Sequence, residues 1–99
     1  MRISEQEKQL LVNAALKYFG ADSEVWLFGS RSDDQKKGGD IDVYIETDKS
    51  DQLVLRRIRF KMELSDVMGE QKIDVVVHQR KLPFQPIHEI ARSTGVRLN

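Results

Sequence analysis

Asp40 and Asp42 flank a single apolar residue in the stretch Gly39-Asp40-Ile41-Asp42-Val43-Tyr44-Ile45, which reads as a strand. Side chains alternate along a strand, so both carboxylates project from one face while Ile41 and Val43 project from the other. Two adjacent carboxylates repel, and burying either one unpaired costs on the order of several kcal/mol. A divalent cation turns that cost into a binding site; magnesium takes one or two carboxylates together with phosphate oxygens. A third acid, Asp74, is alone in the Val-rich run Ile73-Asp74-Val75-Val76-Val77-His78, where acids are depleted. If that strand lies beside the first, three acids share a face and could hold two metal ions, the arrangement that serves in-line displacement at phosphorus. The competing reading is plainer. Asp-x-Asp after a glycine also fits the end of a turn, its carboxylates paired to nearby Lys or Arg.

Upstream, the apolar run Val25-Trp26-Leu27-Phe28 leads straight into Gly29-Ser30-Arg31. Glycine lets backbone come close to a ligand, and amides at a turn bind phosphate oxygens. Ser30 adds a hydroxyl and Arg31 a fixed positive charge. A Gly-Ser pair alone is a weak signal; followed by Asp-x-Asp on a strand it is a stronger one. The intervening loop, Ser32–Gly38, carries Asp33, Asp34, Lys36 and Lys37 and reads as a solvated connection; Lys36 or Lys37 meeting phosphate is the sharper alternative.

These residues need a frame, and the flanking sequence supplies one. Ser4-Glu5-Gln6-Glu7 fits a capping box, and Leu11, Ala14, Ala15 and Tyr18 fall on one face of a helix spanning about 5–19 that Gly20 stops. Residues 24–28 follow as a strand with both faces covered, then the strand Asp40–Glu46. A turn at Thr47–Asp51 caps a helix predicted over about 51–68, with Leu53, Phe60, Leu64 and Val67, and Leu55, Ile58 and Met62 nearby, forming a broad apolar face. Its basic run, Arg56, Arg57, Arg59 and Lys61, reads as a solvated face; a patch for the nucleotide phosphates or for an acidic partner is the sharper alternative. Strand–helix–strand order makes the Asp40–Glu46 and Lys72–His78 strands candidates for parallel neighbours. A proline-punctuated loop precedes a short helix, Ile87–Ser93, with Ile87, Ile90 and Ala91 inward and His88 toward solvent. Val96–Asn99 is a last edge strand or a frayed tail. His78 is read as a strand-end residue.

Gly29-Ser30, a short loop, Asp40-Ile41-Asp42 and a later strand bearing Asp74 together resemble the nucleotidyltransferase superfamily related to polymerase beta. The closest likeness is to its stand-alone minimal nucleotidyltransferase (MNT) proteins, often paired with HEPN-domain toxins, over roughly residues 1–80 in order of elements. Two features depart from the pattern: the loop after Gly29-Ser30-Arg31 is poor in small residues, and Gly39 stands where a serine commonly precedes the first acid. Neither removes a metal ligand. The resemblance implies an α+β (or α/β) fold, a small mixed sheet of three to four strands with helices packed on it. It implies transfer of a nucleoside monophosphate, AMP from ATP, to an acceptor hydroxyl. Asp40 and Asp42 would bind two magnesium ions (manganese substituting), Asp74 would bind the catalytic one and accept the hydroxyl proton, and Gly29 and Ser30 would hold the phosphates with Arg31 beside them. In the paired systems the small protein is an antitoxin that transfers AMP to a hydroxyl, a tyrosine, on its HEPN toxin. A contrasting reading is a catalytically silent module that neutralises a partner by contact; transfer to a small molecule such as an aminoglycoside fits the short length less well.

Composition narrows the field. Ninety-nine residues bound the chain to one domain, 1–99, and 39% hydrophobic residues support a core. Sixteen basic and sixteen acidic residues cancel, so no global field attracts a nucleic-acid polyanion. With no cysteine there is neither disulfide nor thiolate chemistry. No signal-peptide core and no run of membrane-spanning length are visible, which predicts a soluble, cytoplasmic protein. The chain ends soon after its third strand, so a second copy or a partner protein would close half the cleft.

Overall fold

A computed structural model of the chain describes residues 3–29, 40–69 and 72–99. Among these, α1 (Glu5–Phe19) opens as its sequence requires: the Glu7 amide donates to Ser4 Oγ at 3.0 Å and the Ser4 amide donates to Glu7 Oε1 at 2.9 Å. Leu11, Ala14 and Ala15 are buried as predicted; Val12 and Phe19 join them, while Tyr18 is only half-buried. The helix ends at Gly20, whose amide donates to Leu16 O. Thr47 Oγ1 then donates to Phe19 O at 2.6 Å and ties the helix end to the sheet.

Strands β1 (Glu24–Phe28), β2 (Ile41–Thr47), β3 (Ile73–Gln79) and β4 (Val96–Arg97) form one sheet in the order β3-β2-β1-β4. β1 pairs antiparallel with β2 and with β4, and β2 pairs parallel with β3. The parallel pair follows from the crossover through α2 (Leu53–Met68). The alternation of β2 decides what each face carries. Ile41, Val43 and Ile45 join Val25, Leu27, Ile73 and Val75 in the main core beneath α1 and α2. Asp42, Tyr44 and Glu46 take the opposite face with Trp26, Val76 and His78. Phe19 of α1 meets Phe60 of α2 edge-to-face, centroids 5.9 Å apart. β4 is a true edge strand, held by Leu98 N donating to Val25 O and by the Asn99 side chain, which accepts from Val25 N and donates to Ser23 O.

Two helices differ from their sequence-based expectation. The helix predicted from about 51 begins at Leu53, and its N-cap, Gln52, has φ 54° and no capping side chain, so the Thr47–Asp51 segment does not cap it. Of its broad apolar face Phe60 and Leu64 are buried and Leu53 is half-buried; Leu55, Ile58, Met62 and Val67 are exposed, because one helix offers the sheet only one side. The last helix, α3 (Pro86–Thr94), is rotated from the expected orientation: Ala91 faces the sheet as expected, but His88 joins it there while Ile87 and Ile90 face outward. Ala91 is small enough to sit on Trp26 and Tyr44, and His88 is drawn inward by aromatic neighbours and by the Gln85 amide, which donates to its Nδ1 at 2.9 Å. The turn out of α3 runs close over β1, where a Cβ on Gly95 would lie 2.4 Å from Ala91 O and 2.9 Å from Leu27 O. Among the described residues no helix is long and apolar enough to cross a membrane.

Candidate functional site

The face opposite α1 and α2 is built in cross-strand rows. Phe28, Asp42 and Asp74 form the row at one end, Trp26, Tyr44 and Val76 the middle row, and Glu24, Glu46 and His78 the far row. His88 stacks on His78 and Tyr44 while Gly95 abuts Leu27 and Phe28, so α3 crosses this face diagonally over the middle and far rows. The Asp42–Asp74 corner is left half-exposed.

Asp42 and Asp74 are register partners in the parallel pair, so their side chains leave the sheet side by side. Three effects push the Asp42 carboxyl above the usual carboxylate range: burial first, then the negative charge of Asp74, then that of Asp40, with Lys72 opposing them. Such a group binds a proton or another cation more readily than an isolated aspartate does. Asp40 stands one residue before β2 rather than within it, exposed, with Lys72 Nζ 4.0 Å from its Oδ2. It is near enough to act on Asp42 but does not share its burial. Lys72 was not singled out by the sequence reading, although its position two residues before Asp74 was visible.

Gly29 closes the site from β1. Its φ is +74°, and a Cβ built on it would lie 2.2 Å from Asp42 Oδ2. The chain after β1 thus turns directly against the carboxylate, and only glycine allows both the turn and the approach. Ser30, Arg31, Lys36 and Lys37 lie outside the described residues. Among the described residues no group of three or more His, Cys, Asp or Glu side chains is gathered tightly enough to hold an ion by itself. What is assembled is a carboxylate pair with a third acid alongside.

The family model described as "Polymerase beta, Nucleotidyltransferase" matches residues 15–97. The chain belongs to this family. No curated protein matches it significantly. The matched span runs from α1 to β4 and includes Gly29, Asp40, Asp42 and Asp74. The α+β architecture, three helices on a four-stranded mixed sheet among the described residues, is that of a polymerase-beta-like nucleotidyltransferase, and the family's chemistry is nucleotidyl transfer from a nucleoside triphosphate, generally with divalent metal.

The far row of this nucleotidyltransferase domain holds a second polar cluster that the sequence reading missed. Tyr44 Oη donates to Glu46 Oε1 at 2.8 Å, and Arg92 Nη1 donates to the same oxygen at 3.2 Å. Arg80 Nε lies 3.9 Å from Glu46 Oε2. His78 is buried with Nε2 2.9 Å from Leu82 O and Nδ1 3.6 Å from Glu46 Oε1. His78, next to last in β3, is the strand-end residue expected but is fully buried, and His88, read as solvent-facing, is buried against it. Burial lowers the His88 pKa, helped by His78 and opposed by Glu46, and the Tyr44 phenol is pushed up by burial and by its bond to Glu46. The cluster joins β2 and β3 to α3 and to the segment before it; its work is to seat α3. A signal was present in the period-2 series Asp42, Tyr44, Glu46, which carries polar groups along one whole strand face.

Proposed function

We propose that the chain transfers a nucleoside monophosphate, AMP from ATP, to an acceptor hydroxyl, with Asp40, Asp42 and Asp74 as its catalytic and metal-binding residues. The observation that carries this reading is the side-by-side placement of Asp42 and Asp74 with Gly29 turned against the Asp42 carboxylate. The donor set suits a divalent cation: hard oxygen ligands, an Asp42 pKa raised by burial and then by the negative charge of Asp74 and Asp40, and a half-exposed corner of the sheet. Two magnesium ions, or manganese in their place, would supply charge neutralisation at the phosphates and a lowered pKa for the attacking hydroxyl.

The protein's own residues then have separate tasks. Asp42 and Asp74 offer carboxylates from two rigid strands, and Asp40 adds a third from the strand entrance. Asp42 and Asp74 with Asp40 alongside would be a sufficient protein contribution to a magnesium site, since that ion is ordinarily bound through one or two carboxylates plus substrate phosphates. The Gly29 turn, with Ser30 and Arg31 after it, binds the phosphates. Asp74 accepts the proton of the acceptor hydroxyl as its oxygen bonds to the alpha phosphorus and pyrophosphate departs. The acceptor we favour is a hydroxyl on a partner protein, a HEPN-type toxin for which this chain acts as the antitoxin.

A second reading, a silent module that neutralises its partner by contact, draws support from the loop after Gly29-Ser30-Arg31, which is poor in small residues, and from Gly39 where a serine commonly precedes the first acid. Purified chain incubated with labelled ATP, magnesium and a HEPN-type partner separates the two. Label that moves to the partner and disappears with Asp74→Asn supports transfer. Neutralisation without label, unchanged by Asp74→Asn, supports the silent module.

A further inference from the structure

Helix α2 is apolar on the side it turns away from the protein. Phe60 and Leu64 face the core and are fully buried. Ile58 and Met62 stand two positions before and after Phe60, about 200° around the helix from it, and they are 47% and 62% exposed. Leu55 and Val54 extend the stripe by one turn, at 39% and 65% exposure. Leu55, Ile58 and Met62 have i, i+3, i+7 spacing, the seam of a helix that packs against another helix. A helix apolar on both sides is ordinarily buried on both sides.

The rim of the stripe indicates what covers it. Arg57 and Lys61 border one side and Arg59 the other, and none of the three makes an ion pair among the described residues. By contrast Arg56 is committed to Asp51 and to Tyr18 O, and Glu63 to Lys17 at 2.7 Å. The central two turns therefore present positive charge with no ion pair among the described residues about an apolar seam, with Asp66 the acid toward the C-terminal end. A second copy of this chain fits poorly. Antiparallel pairing that matches Ile58 with Met62 brings Arg59 near Arg59 and Lys61 near Lys61 of the other copy, and parallel pairing opposes Lys61 to Asp66 but leaves Arg57 and Arg59 facing no acid.

We infer that the outer face of α2 is a docking surface for an amphipathic helix of another protein, one with an apolar stripe and acidic flanks. The surface lies on the far side of α2 from the sheet, away from Asp42 and Asp74, and the inference stands whether or not the carboxylate corner transfers nucleotides. Binding would place the partner's apolar residues on Leu55, Ile58 and Met62 and its carboxylates against Arg57, Arg59 and Lys61.

The test uses the full chain and two synthetic helical peptides with one leucine stripe, flanked by glutamates in one and by lysines in the other. Three rim pairs imply that the acidic peptide binds about tenfold tighter at low salt, with the gap closing as salt rises. Ile58→Lys, at an exposed position, keeps the fold by circular dichroism and abolishes binding. Equal affinity for both peptides, binding of neither, or unchanged binding by folded Ile58→Lys overturns the inference. So does a dimer in light scattering that Ile58→Lys dissociates, which would make a second copy the occupant.

Discussion

Asp42 and Asp74 sit side by side across the parallel β2–β3 pair, each half-buried, on the face of the sheet that α1 and α2 do not cover. Nothing in the packing of the sheet requires two acids there. Their neighbours in register, Ile41 with Ile73 and Val43 with Val75, point into the core and do the packing. The acids are tolerated because the corner is open, and they carry an electrostatic cost that a cation would relieve.

Removing that cost gives the first prediction. Asp42 has a folded-state pKa above its unfolded value, so its contribution to stability is present at acid pH and is lost as pH rises through the raised folded pKa. Asp42→Asn in metal-free buffer should therefore melt slightly higher than the parent at neutral pH, by less than about 1 kcal/mol because solvent screens the half-exposed group. The difference should vanish below the ordinary carboxylate range. Thermal melts across pH check it, and a parallel assay should find transfer reduced about a hundredfold or more.

Gly29 carries a different cost. Gly29→Ala must hold a side chain at φ +74° and displace the Asp42 carboxylate. A loss of about 1–2 kcal/mol is expected from the backbone alone, with transfer impaired at temperatures where the variant is folded. Urea melts together with an assay well below the melting point check both effects.

The far-row cluster is structural. Glu46→Ala leaves Tyr44 and Arg92 without their shared acceptor, and orphaning the buried Tyr44 hydroxyl costs about 1–3 kcal/mol. Denaturant unfolding should show a large shift in midpoint. Near-parental stability would mean that the cluster does not seat α3.

The orientation of α3 is open to a paired comparison. Ile90→Ser, at an exposed position, should change stability by less than about 0.5 kcal/mol. Ala91→Leu, pressed on Trp26 and Tyr44, should cost about 1–3 kcal/mol through overpacking. A costly Ile90→Ser would restore the orientation that the periodicity implied, since Ala91 faces inward in both.

The sequence made most of the scaffold legible because local signals agreed with tertiary demands. Ser4 and Glu7 set the start of α1, the Val-rich runs marked the strands, and the strand–helix–strand order pointed to a parallel pair. Asp42 and Asp74 could be matched because period 2 fixes a side chain's face and a central Val-rich strand rarely carries an acid. Two things were not legible. The faces of α2 and α3 were misjudged because both helices carry apolar residues on more than one side: Ile58 and Met62 look like core until Phe60 and Leu64 take that role. Ile87 and Ile90 likewise yield to His88 and Ala91 once Tyr44 and His78 supply a partly polar floor. Of the buried Glu46 network only the period-2 series Asp42, Tyr44, Glu46 gave a sign, since its other members, His78, Arg80 and Arg92, come from separate places in the chain.

The claim that the Asp42–Asp74 corner holds a metal-bound nucleotide is tested most directly by paramagnetic broadening. Amide resonances of the isotope-labelled chain would be followed as Mn2+ and a non-hydrolysable ATP analogue are added together. The account predicts that Gly29, Asp40, Asp42 and Asp74 broaden first and that Asp42→Asn abolishes the effect. Broadening centred elsewhere, or unchanged in Asp42→Asn, would contradict it.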